Sequence, residues 1–325
     1  MRAELLALVT LLTVSCKEEW RVVLDKRPGA LISVWGTSAS DVWTVGGDPG
    51  TGAEILHLEG GRWKRLVSPA PGDLWWVFGF AGGPVFMGGK DGLLLRYQGG
   101  ALEAMTAPMA SPKTVFGIWG PTPNDVWAVG GDGNGAGFVW RYDGTSWRDV
   151  PLPSGISAGF SMFKVFGRSD TEVYFVGSKG LAMKWDGSGF QTMPTGTNRT
   201  LFTLHGTSDR LVAVGGFGQA VLLELENGAW VDRSPAGLKQ LIGVSVTPKR
   251  ALAVGGNGTI AVSTESGWVA DPPPSTVFAD LHGAWIDPTG GLWAVGGQVA
   301  AFPLVDGVLL HKGASAPPSQ VSDAK

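Results

Sequence analysis

The chain has 325 residues and carries 25 Lys and Arg against 28 Asp and Glu, for a formal net charge of −3. It has no Lys/Arg-rich run, so it lacks the electrostatic footprint of a nucleic-acid binder, and no nucleic-acid partner is expected. Charged residues make up only 16%, while Gly numbers 51 and Trp 15; this is a composition of turns and packed sheets rather than of helices or disorder, and a single cysteine excludes an intrachain disulfide.

The chain opens with Arg2, followed by a mostly apolar stretch of ten residues, 5–14, too short to cross a bilayer as a helix. Together these read as a secretory signal, to be set aside from the fold. The stretch ends Leu12-Thr13-Val14-Ser15-Cys16. This resembles a bacterial lipobox, with small Ser15 before the cysteine and Thr13 where leucine is usual. The resemblance implies a signal peptide over 1–16 and a lipid on Cys16 that ties the protein to a membrane. Lys17 is not the aspartate that resembles an inner-membrane retention signal, so the expected address is the outer membrane of a bacterial cell envelope.

From residue 31 onward a unit recurs. Residues 31–35 form a β-rich run, 36–41 a turn cluster, and Val42-Trp43-Thr44-Val45 a second strand closed by Gly46-Gly47. A third strand follows at 54–58 and a fourth at 62–66. The closing glycine returns at Gly88, Gly130, Gly177, Gly215, Gly255 and Gly296, at spacings between 38 and 47 residues. The third unit repeats the first almost literally, with Asp125-Val126-Trp127-Ala128-Val129-Gly130-Gly131 and then Asp143-Gly144-Thr145-Ser146-Trp147. The seventh unit reads as strands at 281–285, 292–297 and 299–305, then 308–311. Four short strands per repeat, seven times over, predict an all-β, seven-bladed β-propeller of four-stranded antiparallel blades, spanning 17–312. Residues 20–24 look like a stray fourth strand and are expected to complete the last blade, which removes a sheet edge and joins the ring's ends. The small, polar residues 313–325 are expected to be a disordered tail.

These units resemble the Trp-rich propellers of bacterial lipoproteins with "VWG…DVWAVG…DGTSW"-type repeats, frequent in myxobacteria. More distantly they are similar to Asp-box repeats and to photosystem II assembly-factor propellers. The Asp143–Trp147 segment keeps only the tail of an Asp box, so sialidase chemistry does not carry over.

Trp43, Trp127 and Trp293 recur at one second-strand position, and Trp63, Trp147, Trp230 and Trp268 at one fourth-strand position, as packing between blades demands. A first-strand column runs Trp35, Phe78, Trp119, Phe166, His205, Ser245, Trp285 and turns polar at His205 and Ser245. Trp75 and Trp76 are neighbours on one strand and are expected to point to opposite faces. Trp75, Trp76 and His205 are therefore the candidate binding residues. The four histidines have no metal-ligand spacing, and Asp132-Gly133-Asn134-Gly135 lacks the later bidentate Glu of a calcium loop, so neither metal nor cofactor is expected. Asp41, Asp125 and Glu172 precede second strands where Arg210 and Arg250 stand in later units, an alternation that reads as turn residues drifting at the surface. No nucleophile elbow or zinc-protease helix motif occurs. By analogy of fold, ligands are expected on the face built by the fourth-to-first and second-to-third connections. The leading expectation is a non-catalytic protein- or glycan-binding module; the alternative is a propeller-type glycosidase or polysaccharide lyase, which needs carboxylates converging near the ring's centre.

Overall fold

The computed structural model describes residues 18–108, 113–133 and 135–323. The segment expected to be a signal peptide with a lipidated Cys16 lies outside the described residues. The fold is the expected seven-bladed propeller: seven antiparallel sheets, each with its strands in sequence order from the centre outward, apart from the closing blade and one added edge strand. The innermost strands are Leu31–Ser38, Leu74–Gly79, Thr114–Thr122, Met162–Ser169, Leu201–Gly206, Leu241–Val246 and Asp280–Ile286. Each packs against the inner strand of the next blade, and the last against the first, so the ring is closed.

Closure uses the N-terminus as the sequence implied. Arg21–Gly29 pairs antiparallel with Val305–Lys312 as the outermost strand of the seventh blade. Val23 and Leu24 enter a cluster shared with Trp63 and Trp293 of two neighbouring blades. Fully buried Glu54 then holds Arg27 of this strand at 2.7 Å and Arg65 of the first blade at 3.2 Å. One carboxylate thus ties the closing strand to the blade beside it.

The recurrent glycine has a steric cause. A Cβ on Gly46 would lie 1.7 Å from the carbonyl oxygen of Ala30, which enters the inner strand of the same blade. The same clash, at 1.9–2.0 Å, waits at Gly130, Gly215, Gly255 and Gly296. In the second blade the equivalent residue is Gly89, which pairs with Leu74 as Gly46 pairs with Leu31, and not Gly88. Gly88 occupies the valine position instead, where a Cβ would strike Val115 at 2.5 Å.

Three expectations are corrected. Residues 299–304 form a loop; the third strand of the seventh blade is Val305–Lys312. The C-terminal segment is not a loose tail. Val321–Asp323 adds a fifth strand, parallel to Arg62–Arg65, and the Trp63 indole donates to the Pro318 carbonyl at 2.9 Å. This covers the outer edge of the first blade, which would otherwise offer unpaired backbone groups. Finally, Asp41, Asp125 and Glu172 are not drifting turn residues. Asp41 pairs with His57 at 2.8 Å, Asp125 with Arg141 at 2.7 Å and Glu172 with Lys184 at 3.6 Å, all between the second and third strands. In the fifth blade both signs reverse, Arg210 pairing with Glu224 at 2.7 Å. At Arg210 the alternation is therefore a compensated charge swap.

Candidate functional site: an aromatic basin at the channel mouth

In every blade the pairing of the inner strand with the second strand slips by one residue near its start, for example between Leu74 and Trp76 or between Leu201 and Thr203. The skipped residues are Ile32, Trp75, Phe116, Phe163, Phe202, Ile242 and His282. A bulge leaves its extra residue outside the ladder and re-aims the side chain. Here the re-aimed side chains meet around the ring's axis at one mouth of the channel.

All of them but Ile32 line a basin of ≈ 480 Å³. Its wall is a continuous aromatic arc. The Trp75 ring lies 5.6 Å from His282 and 5.4 Å from Phe116, Phe116 lies 5.1 Å from Phe163, and Phe163 lies 5.7 Å from Phe202. Phe217, on the second-to-third connection of the fifth blade, continues the arc 5.1 Å beyond Phe202 and is 67% exposed. Thr203, Gln240 and Asp280 add polar groups to the lining, and Asp280 accepts the Asn257 backbone N–H at 2.7 Å.

Lys164 also lines the basin and is only 3% exposed. Its ammonium donates to the Phe116 carbonyl at 2.7 Å and sits 3.3 Å from the centroid of the Trp76 ring. The Trp76 indole donates in turn to the Ile118 carbonyl at 2.9 Å. Burial pushes the Lys164 ammonium well below the ordinary lysine range. His282 donates through Nδ1 to the Ile32 carbonyl at 2.8 Å, which leaves the lone pair on Nε2 when the ring is neutral. Burial, with the Lys164 charge second, brings His282 down to about 4.

Trp75, Trp76 and His205 are thus not one site. Trp75 stands in the basin wall. Trp76 points between the second and third blades and faces the opposite end of the channel. His205 lies at that opposite end, in the column with Trp35, Phe78, Trp119, Phe166, Ser245 and Trp285. There it accepts the Val246 N–H on Nδ1 at 2.9 Å, lies 4.9 Å from Phe166, and is held by burial at about 4. Ser245 likewise accepts the Ile286 N–H at 3.1 Å. Both polar breaks in that column therefore serve as links to the next blade's inner strand.

Sequence reasoning missed Phe116, Phe163, Phe202, Phe217, Lys164 and His282. The signal was present: the bulge column lies three residues before the Trp35-to-Trp285 column in every repeat. Among the described residues no group of three or more His, Cys, Asp or Glu is placed to hold a metal ion, and no helix is long and apolar enough to cross a membrane.

The basin opens on the side of the outer-to-inner and second-to-third connections. Phe278, in the connection from the sixth to the seventh blade, and Phe302, in the second-to-third connection of the seventh, stand on the same side and are 83% and 70% exposed. A groove of ≈ 590 Å³ between the sixth and seventh blades is lined by Phe278 and shares Asp280 with the basin.

No protein-family model and no curated protein matches the chain. Solved structures do. A streptogramin B lyase is 14% identical with a TM-score of 0.73, over 91% of this chain and 98% of that one. YCF48 in complex with a D1 peptide is 17% identical with a TM-score of 0.65, over 91% and 97%. The WD40 propeller domain of Doa1 is 11% identical with a TM-score of 0.69, over 92% and 98%. At these identities the likeness is one of fold, and along nearly its whole length this chain shares the propeller architecture of a lyase, a peptide-bound propeller and a WD40 domain.

Proposed function

We propose that the protein is an exported propeller, held to the bacterial outer membrane by a lipid on Cys16, that acts as a non-catalytic binding module for another envelope protein. The carrying observation is the aromatic basin together with exposed Phe217, Phe278 and Phe302 on one face. Isolated surface phenylalanines are unremarkable, but several beside an apolar hollow mark an interaction site. Aromatic anchors seated in such hollows dominate protein recognition. A neighbour of the same fold, YCF48, has been solved holding a D1 peptide, which supports the protein-binding reading over the glycan-binding one. A glycosidase or polysaccharide lyase would need converging carboxylates, and Asp280 is the one carboxylate in the basin lining among the described residues. The form of the repeat, with its lipobox-like Leu12–Cys16 segment and "DVWAVG"-type strands, supports membership in the myxobacterial lipoprotein type.

Photo-cross-linking groups placed at Phe217 and Phe278 in the native envelope test the binding face, with Glu103 on an outer strand as the control. The reading expects one discrete protein adduct from the two face positions, lost on Trp75→Ala. Adducts confined to Glu103 would overturn it. The address is checked separately: Cys16→Ser should move the protein from the membrane to the soluble fraction, and unchanged fractionation would count against the lipid.

A further inference from the structure

Resting on the basin as the seat of a ligand, we infer that Lys164 makes it selective for an apolar, preferably aromatic, group that bears a carboxylate. Lys164 is 3% exposed, its ammonium donates to a neutral carbonyl, and its cation lies against an indole face. Among the described residues no carboxylate stands within salt-bridge reach of it. A buried cation left without a counter-charge is costly, and pairing it relieves that cost. The carbonyl and the indole each satisfy only part of an ammonium that has three donors.

The rest of the wall selects what carries the counter-charge. Trp75, Phe116, Phe163 and Phe202 supply edges and faces for an aromatic body. A single cation suits a monoanion better than a phosphate dianion, which calls for several donors. Thr203 is not a competing donor, since its hydroxyl is already committed to the Ile242 carbonyl at 2.6 Å. The bound carboxylate would accept from Lys164 while its apolar body lies along the arc.

Such a carboxylate could belong to a free aromatic acid or to the C-terminus of a partner chain, so the test carries both. Isothermal titration of the full-length protein would compare 3-phenylpropionate with 3-phenylpropionamide, and acetyl-Gly-Gly-Phe acid with its C-terminal amide. The expected result is at least a 10-fold preference for the acid in one pair, falling to under 2-fold in Lys164→Met. Preference in the first pair alone points to a free acid, and in the second alone to a chain terminus. Protection of Lys164 from reductive methylation by the bound acid, read by mass spectrometry on the unaltered protein, covers the case in which the variant does not fold. Equal affinity for acid and amide, a preference that survives Lys164→Met, or no binding in either pair overturns the inference. Cross-links from Phe217 and Phe278 would persist in any of these cases if the docking face is right and only the ligand chemistry is wrong.

Discussion

Acidification should destabilise this ring through two histidines at opposite ends of its channel. His205 and His282 are both held at about 4 against an ordinary value of 6.5, in each case chiefly by burial. A histidine whose pKa is lower in the folded state binds fewer protons there than in the unfolded chain between those two values. Stability contributed by the neutral rings is therefore complete above pH 6.5 and is lost as pH falls toward 4. At 1.36 kcal/mol per unit, and with a discount because both rings are half-buried by surface area, each ring costs about 2 kcal/mol by pH 4.5. His311, also lowered by burial, acts in the same sense. Asp48, Glu172, Glu224 and Asp287 sit below the ordinary carboxylate range, so their contribution begins to be lost only as pH falls through the ordinary values of 4.5 for Glu and 3.8 for Asp, at the foot of the histidine window. Urea unfolding at pH 7.0, 6.0, 5.0 and 4.5 measures the slope. Asparagine can accept the Val246 N–H in place of His205 Nδ1 and donate to the Ile32 carbonyl in place of His282 Nδ1. His205→Asn and His282→Asn should thus each remove about 2 kcal/mol of the loss between pH 7.0 and 4.5 while leaving stability at pH 7.0 within about 1 kcal/mol. Unfolding midpoints that coincide at pH 7.0 and 4.5, or a double variant that keeps the full slope, would refute the reasoning.

Three further outcomes are expected. Ending the chain after Gly313 uncovers Trp63, breaks its bond to Pro318 and removes half-buried Val321, for a loss of about 2 kcal/mol in urea unfolding; an unchanged midpoint would mean that the edge strand adds nothing. Glu54→Leu leaves Arg27 and Arg65 without their shared carboxylate, and the expected cost is about 3 kcal/mol, with faster amide exchange in Arg21–Gly29 as the closing strand loosens. Exchange that rises uniformly across all blades would argue against a local latch. Gly215→Ala forces a methyl against the Thr200 carbonyl and should cost about 3 kcal/mol or abolish folding, whereas Gly218→Ala, with open space around it and only its positive φ to strain, should cost about 1 kcal/mol; thermal melts of the pair that agree would remove the steric account of the repeat.

The number of blades and their strand order were legible because they depend on short-range chemistry: runs of β-formers, turn clusters, and a glycine wherever a strand passes a carbonyl of its own blade. The closing role of residues 20–24 was legible for the same reason, as a fourth strand without a unit. What lies between blades was not. The sequence order of Trp75 and Trp76 predicts opposite faces, yet a slip in pairing decides that Trp75 enters the basin while Trp76 carries the Lys164 cation. The swapped pair Arg210–Glu224 looked like drift until the register set the two side by side. The edge strand Val321–Asp323 depends on an unpaired sheet edge some 250 residues away in sequence. Local spacing carries strand and turn, because those are set by neighbours along the chain. The aromatic basin and its lysine exist only once seven inner strands converge on one axis, and that convergence is a property of the closed ring.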